Sequence, residues 1–302
     1  YDTFSTLMDD FYALREQQER VRQRGADLLR TATTARDRIR RKLAMQEKDY
    51  AATQNRDQLR IYGDLITANL YRMERGAARL ETENFYNSEC RPVAIPLDPL
   101  LTPQQNAAKY YKRYTKAKTA EKYLAEQMAL ARRDLDYLES VLEELSRAET
   151  EQDFLDIRGE LRDAGFLRRQ GKKEQNRPAK PLEFRTTSGF RVLVGRNNRQ
   201  NDKLTRSADH RDIWLHTQKI HGSHVILCTG GREVDDDTIV EAAKLAAWFS
   251  QAREGANVPV DYTPVKNVKK PAGARPGMVI YSTCRTVNVA PEEGLVKKLQ
   301  LS

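Results

Sequence analysis

The chain has 302 residues, 39% hydrophobic and 31% charged, with a formal net charge of +9. No run reaches the roughly 18 to 20 apolar residues of a membrane span, so no membrane partner is expected. Cys90, Cys228 and Cys284 are odd in number and far apart, which excludes a disulfide framework and a Cys-x-x-Cys zinc site and points to a reducing, cytoplasmic setting.

The length allows about two domains, and the opening at Tyr1 rather than Met suggests a piece of a longer protein. The positive charge is unevenly placed. Residues 1–166 carry a net −1, residues 167–180 a net +5 and residues 181–302 a net +5. Clustered basic charge is the electrostatic footprint of a nucleic-acid partner; a merely solvated face would give the same sum.

From Leu7 the chain repeats in heptads. Leu7, Leu14, Val21, Leu28 and Ala35 form one row, and Phe11, Gln18, Gly25, Ala32 and Ile39 the weaker neighbouring row. Ala35, Ile39 and Leu43 then fall four apart, a stutter that relaxes the supercoil. A second helix is predicted from Pro103, behind an N-cap at Thr102, to Arg147. Its rows are Tyr114, Glu121, Met128, Leu135, Leu142 and Ala117, Leu124, Ala131, Leu138, Leu145. Two such helices in one chain predict a long antiparallel coiled-coil arm over residues 1–166.

A tip at about 58–101 should close the arm, with a helix over 61–73 and a small β-element at 84–86 and 93–95. Basic runs at 20–42 and 109–122 lie on the arm, the second interleaved with Tyr110, Tyr111, Tyr114 and Tyr123. These aromatics suit packing against the arm or tip, or stacking on bases.

A short helix over 153–164, ended by Gly165, leads into a basic linker at 167–180. Strands at 184–186, 191–194, 212–216, 224–227, 258–262, 279–281 and 286–289, with an amphipathic helix over 237–253, predict a compact α+β domain over 181–302. The fold class is therefore α+β: a long antiparallel coiled-coil arm with a small tip element, followed by a compact α+β domain.

All four histidines, His210, His216, His221 and His224, fall within residues 197–227, with Trp214 among them. Strand alternation puts His216 on the face of Trp214. No companion Cys or carboxylate at ligand spacing adds to the histidines, so no metal is expected. A His–Asp base using His216 or His224 with Asp212 has no signalled nucleophile beyond Ser223. No P-loop or GxGxxG is present, so no cofactor is expected.

Gly195-Arg196-Asn197-Asn198, Gln200-Asn201-Asp202, the run from Asp212 to His216 and Gly222-Ser223-His224-Val225 resemble the RNA-binding domain of the NFACT family, as do Val268-Lys269-Lys270-Pro271 and Pro276-Gly277. Upstream, Gly63-Asp64-Leu65-Ile66 and Ile95-Pro96-Leu97-Asp98 resemble that family's middle region. His221 stands where the family usually carries Pro.

The resemblance, to the bacterial RqcH-type group also labelled fibronectin-binding, implies a ribosome-associated quality-control factor. Such a factor binds obstructed large subunits and tRNA and promotes untemplated C-terminal alanine tailing, the ribosome itself performing peptidyl transfer, so the chain is not expected to be an enzyme. The implied partners are the large ribosomal subunit, through rRNA and a stalk-base protein at the coiled-coil tip, and tRNA. The tRNA-selecting N-terminal domain of the family, with its Asp-Arg pair, is not expected in this stretch.

The RNA-binding set expected on charge, amides and resemblance is Arg196, Asn197, Asn198, Gln200, Asn201, Asp202, His216, Ser223, His224, Lys266, Lys269, Lys270 and Arg275, with Trp214 and Gly222 as structural support. Two other readings stand beside it: a surface adhesin with fibronectin as partner, and a metal-dependent enzyme.

Overall fold

The computed structural model describes residues 4–168 and 179–301, with only some side chains near the start of the first helix. The heptad positions Leu7, Phe11, Leu14 and Gln18 lie outside the described side chains, and most of the predicted linker, 169–178, lies outside the described residues. The chain divides into two compact units, residues 39–132 and residues 1–38 with 133–302. Two long helices, α1 (Phe4–Thr53) and α3 (Pro103–Arg147), contribute a segment to each.

Within residues 39–132 the two helices run antiparallel. Arg132 donates to Glu47 at 2.9 Å, and nearer the turn Gln54 donates to Glu121 at 3.4 Å. Leu43, Met128 and Ala131 are buried between them while Lys42 is exposed, as the four-residue step at the stutter requires. A reciprocal capping box starts α3: Gln105 N–H donates to Thr102 Oγ1 and Thr102 N–H to Gln105 Oε1.

The chain between the helices forms α2 (Arg56–Ala68), a 3₁₀ turn (Leu70–Arg72) and an antiparallel pair, β1 (Arg79–Glu83) with β2 (Pro92–Pro96). Leu65, Ile66, Leu80, Ile95, Ala107 and Tyr110 form its core. The first strand lies ahead of its predicted position at 84–86. Asn84 is a turn residue instead, its Oδ1 accepting the Tyr86 N–H at 3.1 Å, a local bond by which Asn competes with strand pairing.

Asp64 accepts hydroxyl hydrogens from Tyr86 (2.6 Å) and Tyr111 (2.7 Å). Burial raises its pKa, but these bonds and Arg60 outweigh that and hold it below the ordinary value.

In the other unit, α1 buries Leu28 and Ala32, and Gly25 lies where a Cβ would come 2.8 Å from the Phe154 ring. Phe154 belongs to α4 (Glu151–Asp163), which opens on a capping box between Thr150 and Asp153. Residues 133–147 of α3 bury the heptad positions Leu138 and Leu145 and also a second row, Tyr137, Val141 and Glu144. That row has no counterpart in the coiled-coil pattern and faces α4, where the Tyr137 hydroxyl donates to Glu160 Oε1 at 2.9 Å.

The sheet has six antiparallel strands in the order β10-β7-β5-β6-β4-β3. They are β3 (Leu182–Arg185), β4 (Arg191–Val194), β5 (Ile213–Thr217), β6 (Val225–Cys228), β7 (Val258–Pro264) and β10 (Arg285–Val289). A two-stranded ribbon, β8 (Val268–Lys269) with β9 (Ile280–Tyr281), lies between β7 and β10 in the chain.

Strand alternation sends Val192, Leu215, Val225, Leu227 and Val260 to one face, under α6 (Asp236–Trp248) and α7 (Glu293–Leu299). It sends Trp214 and Ile226 to the other, under α5 (Asn198–Ser207) and the ribbon. Both faces are covered, which explains why β5 and β6 are almost continuously apolar.

Candidate nucleic-acid interface

The second sheet face carries an aromatic cluster. Trp214 is fully buried and opposite Ile226 in register. Two residues along β5, His216 stacks on the indole with ring centres 5.6 Å apart and planes at 11°. His224, just before β6, meets Trp214 edge-on at 5.3 Å, and Tyr281 lies 4.8 Å away. The Tyr281 hydroxyl donates to buried Asp261 at 2.7 Å, which fixes the ring.

Both histidines are held neutral. Burial pushes the pKa of His216 down to about 4 and that of His224 to about 3, with the neighbouring His216 adding to the second shift. The Nδ1 of His224 is 2.8 Å from Thr205 Oγ1, and its backbone N–H donates to Asn201 Oδ1 at 3.0 Å. The indole N–H of Trp214 is buried with no acceptor among the described residues, and such a donor costs about 1–3 kcal/mol until it finds one.

Above this cluster opens a cleft of about 410 Å³, with Trp214, His216 and His224 at its base and His221, Met278 and Tyr281 among its walls. The turn that forms one side is firmly held. Ser223 N–H donates to Phe249 O, and Gln251 N–H to His221 O, both at 2.9 Å. Gly222 is needed there because a Cβ would come 2.7 Å from Ser250 Cβ. His221 thus sits in a pinned turn without the rigidity of Pro, its Nε2 3.7 Å from Asp136 Oδ1. On the opposite side Gly277 has φ +79°, and a Cβ there would come 2.1 Å from Asn198 Oδ1.

Beside the cleft runs a basic ridge. Lys266, Lys269 and Lys270 are exposed on the segment leading into and through β8. That segment is fixed by Val265 N–H to Asp212 O (2.9 Å) and by packing of Val265 and Val268 on Leu204 of α5. The outer side of α5 adds Lys203 and Arg206, also exposed. The nearby acids are already paired, Asp202 with Lys270 and Asp209 with Arg211. Positive potential therefore persists along the ridge.

Lys203 and Arg206 were not in the sequence-derived set. The signal for them was the helix itself: Asn197 caps it, accepting the Gln200 N–H at 2.9 Å, and an Asn three residues before a Gln is a helix-start pattern. Without that cap, the composition of residues 198–207 gives no reason to put 203 and 206 on one face.

The amides expected on an RNA surface face inward. Asn197, Asn198, Gln200 and Asn201 are all buried. Asn198 Nδ2 donates to Ser140 Oγ at 2.9 Å and to Glu160 Oε1 at 3.2 Å, and Gln200 Nε2 to Ala179 O at 2.7 Å. Ser223 is buried too, donating to Gly195 O at 2.6 Å. Arg196 donates to both carboxylate oxygens of Asp153, at 2.9 and 3.1 Å. Arg275 pairs with Asp134 at 2.7 Å, donates to Ala164 O at 3.0 Å and lies over the Tyr137 and Phe166 rings.

These residues join the sheet to α3 and α4; the three lysines, by contrast, reach solvent. His210 is exposed at the edge of the ridge, away from the aromatic cluster. Among the described residues no group of three or more His, Cys, Asp or Glu is placed to hold a metal ion, and no helix is long and apolar enough to cross a membrane.

Residues 1–180 match the model of the NFACT N-terminal and middle domains, and residues 180–282 that of the NFACT protein RNA binding domain. The chain is 41% identical to the Rqc2 homolog RqcH of Bacillus subtilis, over all of this chain and 53% of that protein, and so spans about half its length. Over 37% of the chain it is 27% identical to the coiled-coil domain-containing protein 25 of Bos taurus, covering 57% of that protein. The solved C-terminal part of the fibronectin/fibrinogen-binding protein of Streptococcus suis superposes with a TM-score of 0.74 at 31% identity, covering 93% of this chain and 100% of that one.

Proposed function

Because the chain belongs to the NFACT family and is of the RqcH type, we propose that it supplies RNA and ribosome binding to a ribosome quality-control factor. In this reading the whole protein engages obstructed large subunits and tRNA and supports untemplated alanine tailing, with peptidyl transfer left to the ribosome. The observation that carries the reading is the ridge of Lys203, Arg206, Lys266, Lys269 and Lys270, set on α5 and the β8 segment that cover one sheet face, in the part that matches an RNA-binding domain. Cations on such a surface bind phosphate by charge and counterion release, so they position RNA without reading its sequence.

The test is binding of the chain to purified large subunits and to tRNA across a salt series. Replacing Lys203, Arg206, Lys266 and Lys269 by Ala should lower the slope of log K against log salt by up to about 3.6, roughly 0.9 per lost phosphate contact. Equal slopes for parent and variant would remove the ridge from RNA binding. The structural relative described as a fibronectin/fibrinogen-binding protein supports a second reading, an adhesin. Saturable fibronectin binding by the parent, with no RNA binding at low salt, would favour it.

A further inference from the structure

We infer that the cleft over Trp214 and His216 receives one unstacked base of a single-stranded RNA whose phosphates lie on the neighbouring basic ridge. This rests on the RNA-binding reading above and adds the form of RNA that the site selects. The cleft volume of about 410 Å³ lies within the roughly 300–1,000 Å³ of pockets that enclose small organic ligands.

Its lining suits a flat heteroaromatic ring. The imidazole of His216 and the ring of Tyr281 are fixed from behind by Trp214 and Asp261, and Met278 offers an adaptable apolar wall. The histidines at the base are neutral, so they place no charge beneath a polar ring, and the half-buried His216 is the one that offers its ring to the cleft.

Ridge and cleft meet at one carboxylate. Asp202 pairs with Lys270 of the ridge through Oδ2, and its Oδ1 accepts the N–H of Gly277, a cleft residue, at 3.1 Å. A phosphate on the lysines and the base attached to it can therefore engage both features together. A duplex cannot do this, because its bases are stacked and their edges engaged, whereas single strands splay bases onto aromatic and histidine rings.

The experiment uses the whole 302-residue chain and three short RNAs of equal length: a single strand, the same strand with abasic positions, and its duplex. The parent should bind the normal strand about 5- to 150-fold more tightly than the abasic one, the range expected for one stacked base, and more tightly than the duplex per phosphate. Met278→Trp, which fills the cleft mouth, should abolish that preference and leave the salt slope unchanged, with a thermal melt to show that it folds.

Equal parent affinity for normal and abasic strands overturns the inference while leaving RNA binding intact. A retained preference in folded Met278→Trp overturns it too. Binding of none of the RNAs at low salt would overturn both the inference and the RNA-binding reading.

Discussion

Replacing His224 by Gln should make the stability of this protein less sensitive to acid, by an amount set by the burial of one imidazole. His224 is 2% exposed, and its surroundings are His216 at 5.5 Å edge-on, Thr205, Asn201 and the charge of Lys270. Burial first, then His216, hold its pKa near 3, whereas an unfolded chain has a histidine value of about 6.5. A depressed folded value means that the unfolded state binds the proton first. The stabilising contribution is complete above about pH 6.5 and is lost progressively as the pH falls toward the folded value.

At about 1.4 kcal/mol per pH unit, one such histidine loses about 2 kcal/mol between pH 7 and pH 5. His224→Gln should be the less stable protein at pH 7, having lost the ring packing on Trp214. The gap should narrow by about 2 kcal/mol at pH 5. Titrating groups other than the adjacent His216 act alike in both proteins and cancel in the difference. Urea denaturation of parent and variant at both pH values measures it, and a gap constant to within about 0.5 kcal/mol would refute the claim that a buried neutral imidazole is held there.

Trp214→Ala should cost roughly 3–5 kcal/mol, while Trp214→Phe, which also removes an N–H that has no acceptor, should cost markedly less; paired thermal melts give the comparison. Arg196→Ala should lower stability by about 2 kcal/mol, since it removes charged hydrogen bonds from the buried Asp153, which keeps those from Thr150, and should leave the RNA salt slope as it was. Glu144 is buried, one of its oxygens has no partner, and burial with nearby Glu160 raises its pKa. The stability its protonated form supports is therefore present in acid and lost as pH rises through the raised value, so Glu144→Gln should stabilise the protein more at pH 8 than at pH 5 by denaturant titration.

Much of the fold was legible because it follows simple periods. The α3 boundaries follow from Thr102-Pro103 and the heptad rows, and the described heptad positions are buried or half-buried. The period-2 pattern put His216 beside Trp214. What escaped was set by tertiary packing. Tyr137, Val141 and Glu144 face inward only because α4 and α5 lie against α3, a fact no helical repeat contains.

The helix over 198–207 is rich in Asn and Arg, which reads as loop; its amides stay buried because Ser140, Glu160 and Ala179 receive their hydrogens. Arg196 and Arg275 looked like phosphate ligands because sequence shows a charge but not the Asp153 or Asp134 that meets it.

The contacts that draw Arg196, Asn198 and Arg275 inward also bear on where this protein can be cut. The family boundary falls at residue 180, yet Arg275–Asp134, Arg196–Asp153 and Asn198–Glu160 all join residues on either side of it. The covalent junction and the cooperative boundary are therefore different places. A chain severed between residues 168 and 179 would yield two fragments that remain associated and melt together. The domain expressed alone from residue 181 would expose buried asparagines and two arginines stripped of their carboxylates.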